Sequence, residues 1–295
     1  MELIPAKTII TKNRDTSWFG SDYNMNLYRG CSHGCIYCDS RSSCYRVDDF
    51  EQIKAKENAL QIVRDDLRRK VKKGVVGAGA MSDPYNPHEI HMELTRHSLE
   101  LIAAFGFGVS MLTKSTGILR DIPIYQIIAE QAPVNCMLTI TICEDSLSKK
   151  LEPGAPPSSE RFAAVRNLSA AGLFAGVVMT PVLPFLEDTK ENVMGMVELA
   201  REAGARFIYP MFGVTLRNRQ REYFYSRLDR IFPDMGVRER YEKQYGERYV
   251  CSSPKAGSLY RLLGEECSKA GILYKMPDII HSYKKNYQYE QLTLF

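Results

Sequence analysis

Between residues 51 and 211 the spacing of apolar positions switches back and forth between two periods. Stretches 51–73, 92–105, 118–130, 159–171 and 190–203 carry them three and four apart, the spacing of helices, with Ser158 or Ser159 as a cap for the fourth. The short runs between them, 75–80, 108–113, 137–142, 174–180 and 206–211, read as strands, and another is expected at about 24–28. Six strands with five intervening helices predict a parallel sheet joined by right-handed crossovers. Six units are too few for a closed eight-stranded barrel.

Length and charge narrow the class. At 295 residues the chain is long enough for one barrel-sized domain with an appendage. Glu2 and Lys7 bracket too short an apolar stretch for a secretion leader. The longest uncharged run, 167–186, holds Gly172, Gly176, Pro181 and Pro184, so it reads as helix end, strand and loop, and no membrane span is expected. Eight cysteines without a leader point to a reducing, cytoplasmic compartment. Five of them, Cys44, Cys136, Cys143, Cys251 and Cys267, are scattered, and Cys136 and Cys267 read as small buried apolar residues.

From 217 to 255 the composition changes. Ten Lys and Arg face six Asp and Glu, a surplus equal to the net charge of +4 for the whole chain. Seven aromatics are interleaved: Tyr223, Phe224, Tyr225, Phe232, Tyr241, Tyr245 and Tyr249. Two readings stand: a surface where cations follow phosphates and rings stack on bases, or an amphipathic helical layer whose rings pack inward. The modest overall charge argues against a strong polyanion binder.

The densest chemistry is Cys31, Cys35 and Cys38, in the spacing C-x3-C-x2-C. Three thiolates at this spacing fit a [4Fe-4S] cluster whose fourth iron is left open to a small ligand. A structural zinc site using His33 or Cys44 as fourth ligand competes, although no second Cys/His pair follows at finger-like spacing. Three ordinary buried thiols also compete, against the loop character that Gly30 and Gly34 give the segment.

The motif closely resembles that of the radical S-adenosylmethionine superfamily, including the aromatic Tyr37 before the third cysteine. The run Asn26-x-Tyr28-Arg29-Gly30-Cys31-x-His33-Gly34-Cys35-x-Tyr37-Cys38 is joined by Gly79-Ala80-Met81-Ser82-Asp83-Pro84-Tyr85-Asn86-Pro87-His88-Glu89. Thr113-Lys114-Ser115 with Arg120-Asp121, Glu152-Pro153 with Pro156 and Arg161, and Pro181-x-x-Pro184 follow. Together they resemble the spore photoproduct lyase-like family.

The resemblance implies an α/β fold, a partial (β/α)6 barrel of the TIM type with a C-terminal helical, basic and aromatic extension. The barrel is expected over 1–215, with the cluster loop at 29–45, and an extension completing it over 216–295. Carried over by position, Cys31, Cys35 and Cys38 hold the cluster, and Tyr37, Ser82, Asp83, Lys114 and Thr141 contact S-adenosylmethionine. The lyase places a hydrogen-donating cysteine where this chain has Ala80, which has no S–H to give. Cys143, Tyr85 and Cys44 are the candidate replacements, and Cys143 and Tyr85 are carried as candidate catalytic residues.

The activity so implied is reductive cleavage of S-adenosylmethionine to a 5'-deoxyadenosyl radical that abstracts hydrogen, with flavodoxin or ferredoxin as electron donor. A nucleic-acid base or DNA lesion leads as substrate, ahead of a peptide or small metabolite. The non-enzymatic alternative is a zinc-binding or redox-sensing nucleic-acid-binding module. The chain's end, Gln291-Leu292-Thr293-Leu294-Phe295, is similar to peptides that dock bacterial DNA sliding clamps, with Gln291, Leu292, Leu294 and Phe295 as contacts.

Overall fold

The computed structural model describes residues 1–287. The terminal peptide with Gln291, Leu292, Leu294 and Phe295 lies outside the described residues.

Eleven strands are described: β1 (Glu2–Ile4), β2 (Ile10–Lys12), β3 (Tyr23–Met25), β4 (Tyr28–Arg29), β5 (Lys54–Lys56), β6 (Val75–Ala78), β7 (Gly108–Thr113), β8 (Val134–Thr139), β9 (Ala175–Val182), β10 (Ile208–Thr215) and β11 (Val250–Ser252). The helices, in chain order, are α1 (Ala59–Arg68), α2 (Glu89–Met92), α3 (Leu94–Ala104), α4 (Ile122–Ala129), α5 (Asp145–Leu151), α6 (Ser158–Ala170), α7 (Lys190–Glu202), α8 (Gln220–Ile231), α9 (Val237–Tyr245), α10 (Ala256–Ala270) and α11 (Met276–Lys284).

Six strands, β3, β6, β7, β8, β9 and β10, run parallel and adjacent, each successive pair joined through helix, and this is the (β/α)6 arrangement. Antiparallel β2 and β11 flank them, so the main sheet has eight strands in the order β2-β3-β6-β7-β8-β9-β10-β11. A second sheet, β1-β5-β4, is small. Every residue of β8 is buried, as expected for a parallel strand covered on both faces. On the helical face, Val63, Leu99, Ile128, Val165 and Met196 belong to one large buried cluster with strand residues such as Val109 and Val177. The opposite face carries a plug of Phe19, Met137, Val178, Phe207 and Ile279. Helix α11 holds that plug in place, since Tyr283 donates its hydroxyl to Phe19 O at 2.6 Å.

Several sequence boundaries shift: the strand expected at 206–211 lies at Ile208–Thr215, and the helix expected at 118–130 is α-helical only from Ile122. The helix expected at 51–73 begins only at Ala59, because Lys54–Lys56 is taken into the small sheet between β1 and β4. The strand expected at 137–142 lies at Val134–Thr139, three residues earlier. Residues beyond 215 return to the barrel: β11 pairs with β10, and α10 packs on α7 and β10. Five of the seven interleaved aromatics, Phe224, Tyr225, Phe232, Tyr241 and Tyr245, are buried together, so packing rather than base stacking occupies them. No helix among the described residues is long and apolar enough to cross a membrane.

Candidate active site

The site forms where the parallel strands end. Gly79 leaves β6 at φ +98°, and a Cβ there would lie 1.8 Å from Leu112 O, so glycine alone fits the turn. The chain then buries Ser82 and Asp83. Ser82 donates its hydroxyl to Tyr28 O at 2.9 Å, which ties the turn to the strand entering the cysteine loop. Asp83 accepts from Tyr85 N at 2.9 Å, Thr113 Oγ1 at 2.6 Å and Lys114 N at 2.9 Å.

The cysteine loop is fastened from several sides. Gly30, at φ +84°, presses against the backbone of Gln52, 2.5 Å from where a Cβ would stand. His33 sits between acceptors: Nδ1 is 3.1 Å from Gly154 O, and Nε2 is 2.9 Å from Asp83 Oδ2, at ion-pair distance but out of line for a hydrogen bond. Burial disfavours the imidazolium, but the facing Asp83 charge outweighs it and raises the His33 pKa. Burial likewise works against the Asp83 carboxylate, yet His33, Thr113 and Lys114 hold its pKa down at about 2. Gln220 of α8 donates to Tyr37 O at 2.9 Å, so the C-terminal layer also grips the loop.

Beneath the loop lies a buried charge group. Glu152 accepts from the Tyr37 hydroxyl, stands 3.7 Å from Lys114 Nζ and 2.5 Å from Arg161 Nη2. Arg161, fully buried, also donates to Thr139 O at 2.6 Å and Ser148 Oγ at 2.7 Å. Burial would raise the Glu152 pKa, but the two cations lower it overall. Burial would lower the Lys114 pKa, but Cys35 and Glu152 raise it overall, so the ammonium stays charged.

One cavity of about 600 Å3 gathers these parts. Cys31, Cys35, Cys38, Tyr37, Ser82, Asp83 and Lys114 are all on its walls. The remaining wall mixes apolar residues such as Trp18, Leu112, Val178 and Met211 with polar ones, among them Asp39, Ser40, Thr139, Thr180 and Thr215. Three other candidates stand off the cavity wall. Thr141 is buried and donates its hydroxyl to Glu187 Oε1 at 2.6 Å, while Thr139 takes the wall position because the strand ends earlier than expected. Tyr85 is committed to Asp121 Oδ2 at 3.0 Å and Tyr125 at 2.8 Å. Cys143 faces α7, where a Cβ on Gly195 would lie 2.9 Å from its Sγ. Neither candidate donor, Cys143 or Tyr85, is therefore brought to the cavity that holds the cluster cysteines. Cys44 is exposed, 2.9 Å from Ser42 Oγ and 3.2 Å from Arg217 Nη1.

The donor set suits the cluster. Each thiolate of a cluster meets its own iron, so the three sulfurs need not converge on one point, whereas zinc draws four ligands onto a single ion. The candidate fourth zinc ligands are engaged elsewhere: His33 with Asp83 and Gly154, Cys44 with Ser42 and Arg217.

Residues 25–200 match the sequence profile of the Radical SAM superfamily. The chain belongs to this superfamily. Its members use a [4Fe-4S] cluster with S-adenosylmethionine, and this chain is an enzyme of that kind. An uncharacterized Mycobacterium tuberculosis protein is 34% identical over 242 residues, 80% of this chain and 71% of the relative. An uncharacterized Methanocaldococcus jannaschii protein is 31% identical over 179 residues, 60% of this chain and 66% of its own.

Among solved structures, spore photoproduct lyase complexed with dinucleoside spore photoproduct superposes with a TM-score of 0.67 at 15% identity, covering 92% of this chain and 80% of the lyase. The radical S-adenosylmethionine methyltransferase TsrM of Kitasatospora setae superposes at 0.54 and 11% identity, covering 82% and 51%. At such identities the likeness is one of fold.

Reasoning from sequence missed the Glu152–Arg161 pair as part of the site and His33 as the partner of Asp83. A charged residue carries no sequence sign of burial, and only the fold brings residues 33 and 83, or 37, 114, 152 and 161, together.

Proposed function

We propose that this radical S-adenosylmethionine enzyme abstracts hydrogen from a nucleic-acid base or base lesion, in the cytoplasm, with flavodoxin or ferredoxin as its electron donor. The observation that carries it is a single cavity whose lining joins three cluster thiols and the half-buried Lys114 ammonium to apolar and hydroxyl side chains, with Asp39 at its wall. When bound, the cluster and S-adenosylmethionine supply a 5'-deoxyadenosyl radical for C–H abstraction.

The protein's own residues prepare the place. Cys31, Cys35 and Cys38 bind the irons, Lys114 pairs with the carboxylate of S-adenosylmethionine, and Tyr37 and Ser82 line its seat. Glu152 and Arg161 hold Tyr37 and Lys114 in position from below. Trp18, Leu112, Val178 and Met211 keep water from the reacting carbon. The fold of a lyase solved with a dinucleoside lesion supports the choice of a base, and the basic stretch from 217 to 255 supports a nucleic-acid context.

Anaerobic protein given dithionite and S-adenosylmethionine should form 5'-deoxyadenosine slowly without substrate. Lys114→Ala should lower that rate by weakening S-adenosylmethionine binding. Nucleic-acid digests from cells lacking the protein should differ in one modified or unrepaired nucleoside, and identical digests would overturn the choice of substrate. With Ala80 in place of a thiol donor, and Cys143 and Tyr85 held off the cavity, spore photoproduct should be repaired poorly or not at all.

A further inference from the structure

Below the main cavity the barrel interior holds a polar layer that the chemistry above does not use. Backbone register places Asn24, Gly77, Ser110 and Asn135 side by side across β3, β6, β7 and β8. Ser110 and Asn135 are buried, and their one mutual contact, Asn135 Nδ2 to Ser110 Oγ, is long at 3.5 Å. Asn135 Oδ1 has no hydrogen-bond partner among the described residues. The Asn24 amide and the Ser21 hydroxyl likewise make no side-chain hydrogen bond among the described residues. Of these atoms only Asn135 Oδ1 is buried and unpaired, at a cost of roughly 1–3 kcal/mol, whereas the half-buried Asn24 amide and the Ser21 hydroxyl open onto a space beside the layer.

That space can take a small ligand, which would meet Asn24, Ser21 and Ser110 but not Asn135. A chamber of about 250 Å3 is lined by Asn13, Asp15, Ser21, Asn24 and Ser110 together with apolar residues. Gly77 keeps it open, since a Cβ there would lie 2.8 Å from Ser21 Oγ. Trp18, Ala80 and Leu112 line both this chamber and the main cavity, so the two meet at these residues. Ala80 leaves that junction wide where a longer side chain would narrow it.

The lining selects the occupant. It includes no lysine or arginine, and Asp15 adds a negative charge, so an anion such as a phosphate or carboxylate is disfavoured. A free primary amide such as that of Asn24 offers one donor and one acceptor side by side. The matching partner shows an N–H and a C=O on one edge, which is the cis-amide of a lactam or imide ring; the trans amide of a peptide points them in opposite directions.

We propose that this chamber is a specificity subsite that receives the cis-amide edge of a ring such as a nucleobase, read by Asn24 and Ser110 through the junction at Trp18 and Ala80. This deepens the reading of the main cavity as a substrate site and rests on it.

Trp18 is the chain's single tryptophan, so its fluorescence reports the junction directly. Cluster-loaded protein is titrated with uracil, N-methylacetamide and acetate. Uracil should give a saturable change with half-saturation near millimolar, and the other two should give none. Asn24→Ala and Ser110→Ala should each weaken the uracil response about tenfold, and Ala80→Leu should abolish it, with melting temperatures confirming folded variants. Should Asn24→Ala fail to fold, Ser110→Ala carries the same test.

The proposal is overturned if uracil gives no saturable change, leaving a chamber that holds water only. An equal response to acetate or N-methylacetamide, or a uracil response unaltered in the variants, overturns it as well. Protein that forms 5'-deoxyadenosine yet fails the titration sinks this subsite and leaves the proposed function standing; protein that binds uracil without cleaving S-adenosylmethionine does the reverse.

Discussion

At the scale of single residues, the three cluster cysteines are set apart from the other five by their surroundings. Cys136 and Cys267 are fully buried, as apolar packing predicts, and Cys44 is exposed beside Arg217. Replacing Cys31, Cys35 or Cys38 with Ala should therefore remove the S-adenosylmethionine-sensitive paramagnetic resonance signal of reduced protein, whereas Cys44→Ala should keep it. A triple variant that still holds four irons per chain, as counted by iron analysis, would contradict the assignment.

Glu187 gives a second residue-level prediction. Burial raises its carboxyl pKa to about 8, against the opposing pull of hydrogen bonds from Thr141 and from Leu183 N. Because the folded state binds this proton more tightly than the unfolded state, the group's contribution to stability is whole below about pH 4.5 and is lost as pH rises toward 8. In Glu187→Gln the new carbonyl can face Leu183 N and the amide can face the Thr141 hydroxyl. A tenfold difference in proton affinity between folded and unfolded chain is worth about 1.4 kcal/mol, so denaturant melts should show this variant gaining at least about 1 kcal/mol on wild type between pH 5 and pH 9. Parallel pH profiles would show that Glu187 does not carry the proton.

At the scale of elements, sequence periodicity found the parallel strands and their helices but misplaced β8 by three residues. All six residues of β8 are buried, so no polar alternation sets its phase, and a continuous apolar run can slide along the chain without penalty in pattern. Thr141, which the resemblance implied as a contact, lies off the cavity wall, and Thr139 at the end of β8 lines it. Helix α1 was drawn too long for a different reason: pairing of Lys54–Lys56 with residues about fifty and twenty-five positions earlier is a long-range contact that local spacing does not record.

The layer formed by α8 and α9 packs Phe224 and Tyr241 in one buried cluster with Cys35, Ile36 and Tyr37. Phe224→Ala should cost about 3–5 kcal/mol by chemical denaturation and should also loosen iron retention, because the cavity opens beneath the cluster loop. Full stability in that variant would show that the layer is not part of the core.

At the scale of the whole molecule, the barrel, the loop and the C-terminal layer act together: residues 217–255 carry the chain's charge surplus while their rings close the core. If the terminal peptide docks a sliding clamp, a labelled peptide ending in Phe295 should bind purified bacterial clamp at about micromolar affinity, and Phe295→Ala in the full chain should weaken binding without lowering the melting temperature. A lowered melting temperature with no detectable clamp binding would place the tail in the protein's own core instead.

The cysteine spacing, the alternation of periods and the motif residues at strand ends were legible in the chain, because cluster ligation and strand–helix alternation are local and leave their period in consecutive residues. Lys114, Ser82 and Asp83 could be named because the motifs that hold them resemble those of the lyase-like family. The burial of Arg161 against Glu152, the pairing of His33 with Asp83, the retreat of Cys143 and Tyr85 from the cavity and the polar chamber under Ala80 were decided by tertiary structure alone. Each depends on side chains tens of residues apart meeting across strands, and burial, which turns a charge or an amide from a solvated group into a structural or binding one, is a property of the packed molecule and not of any segment.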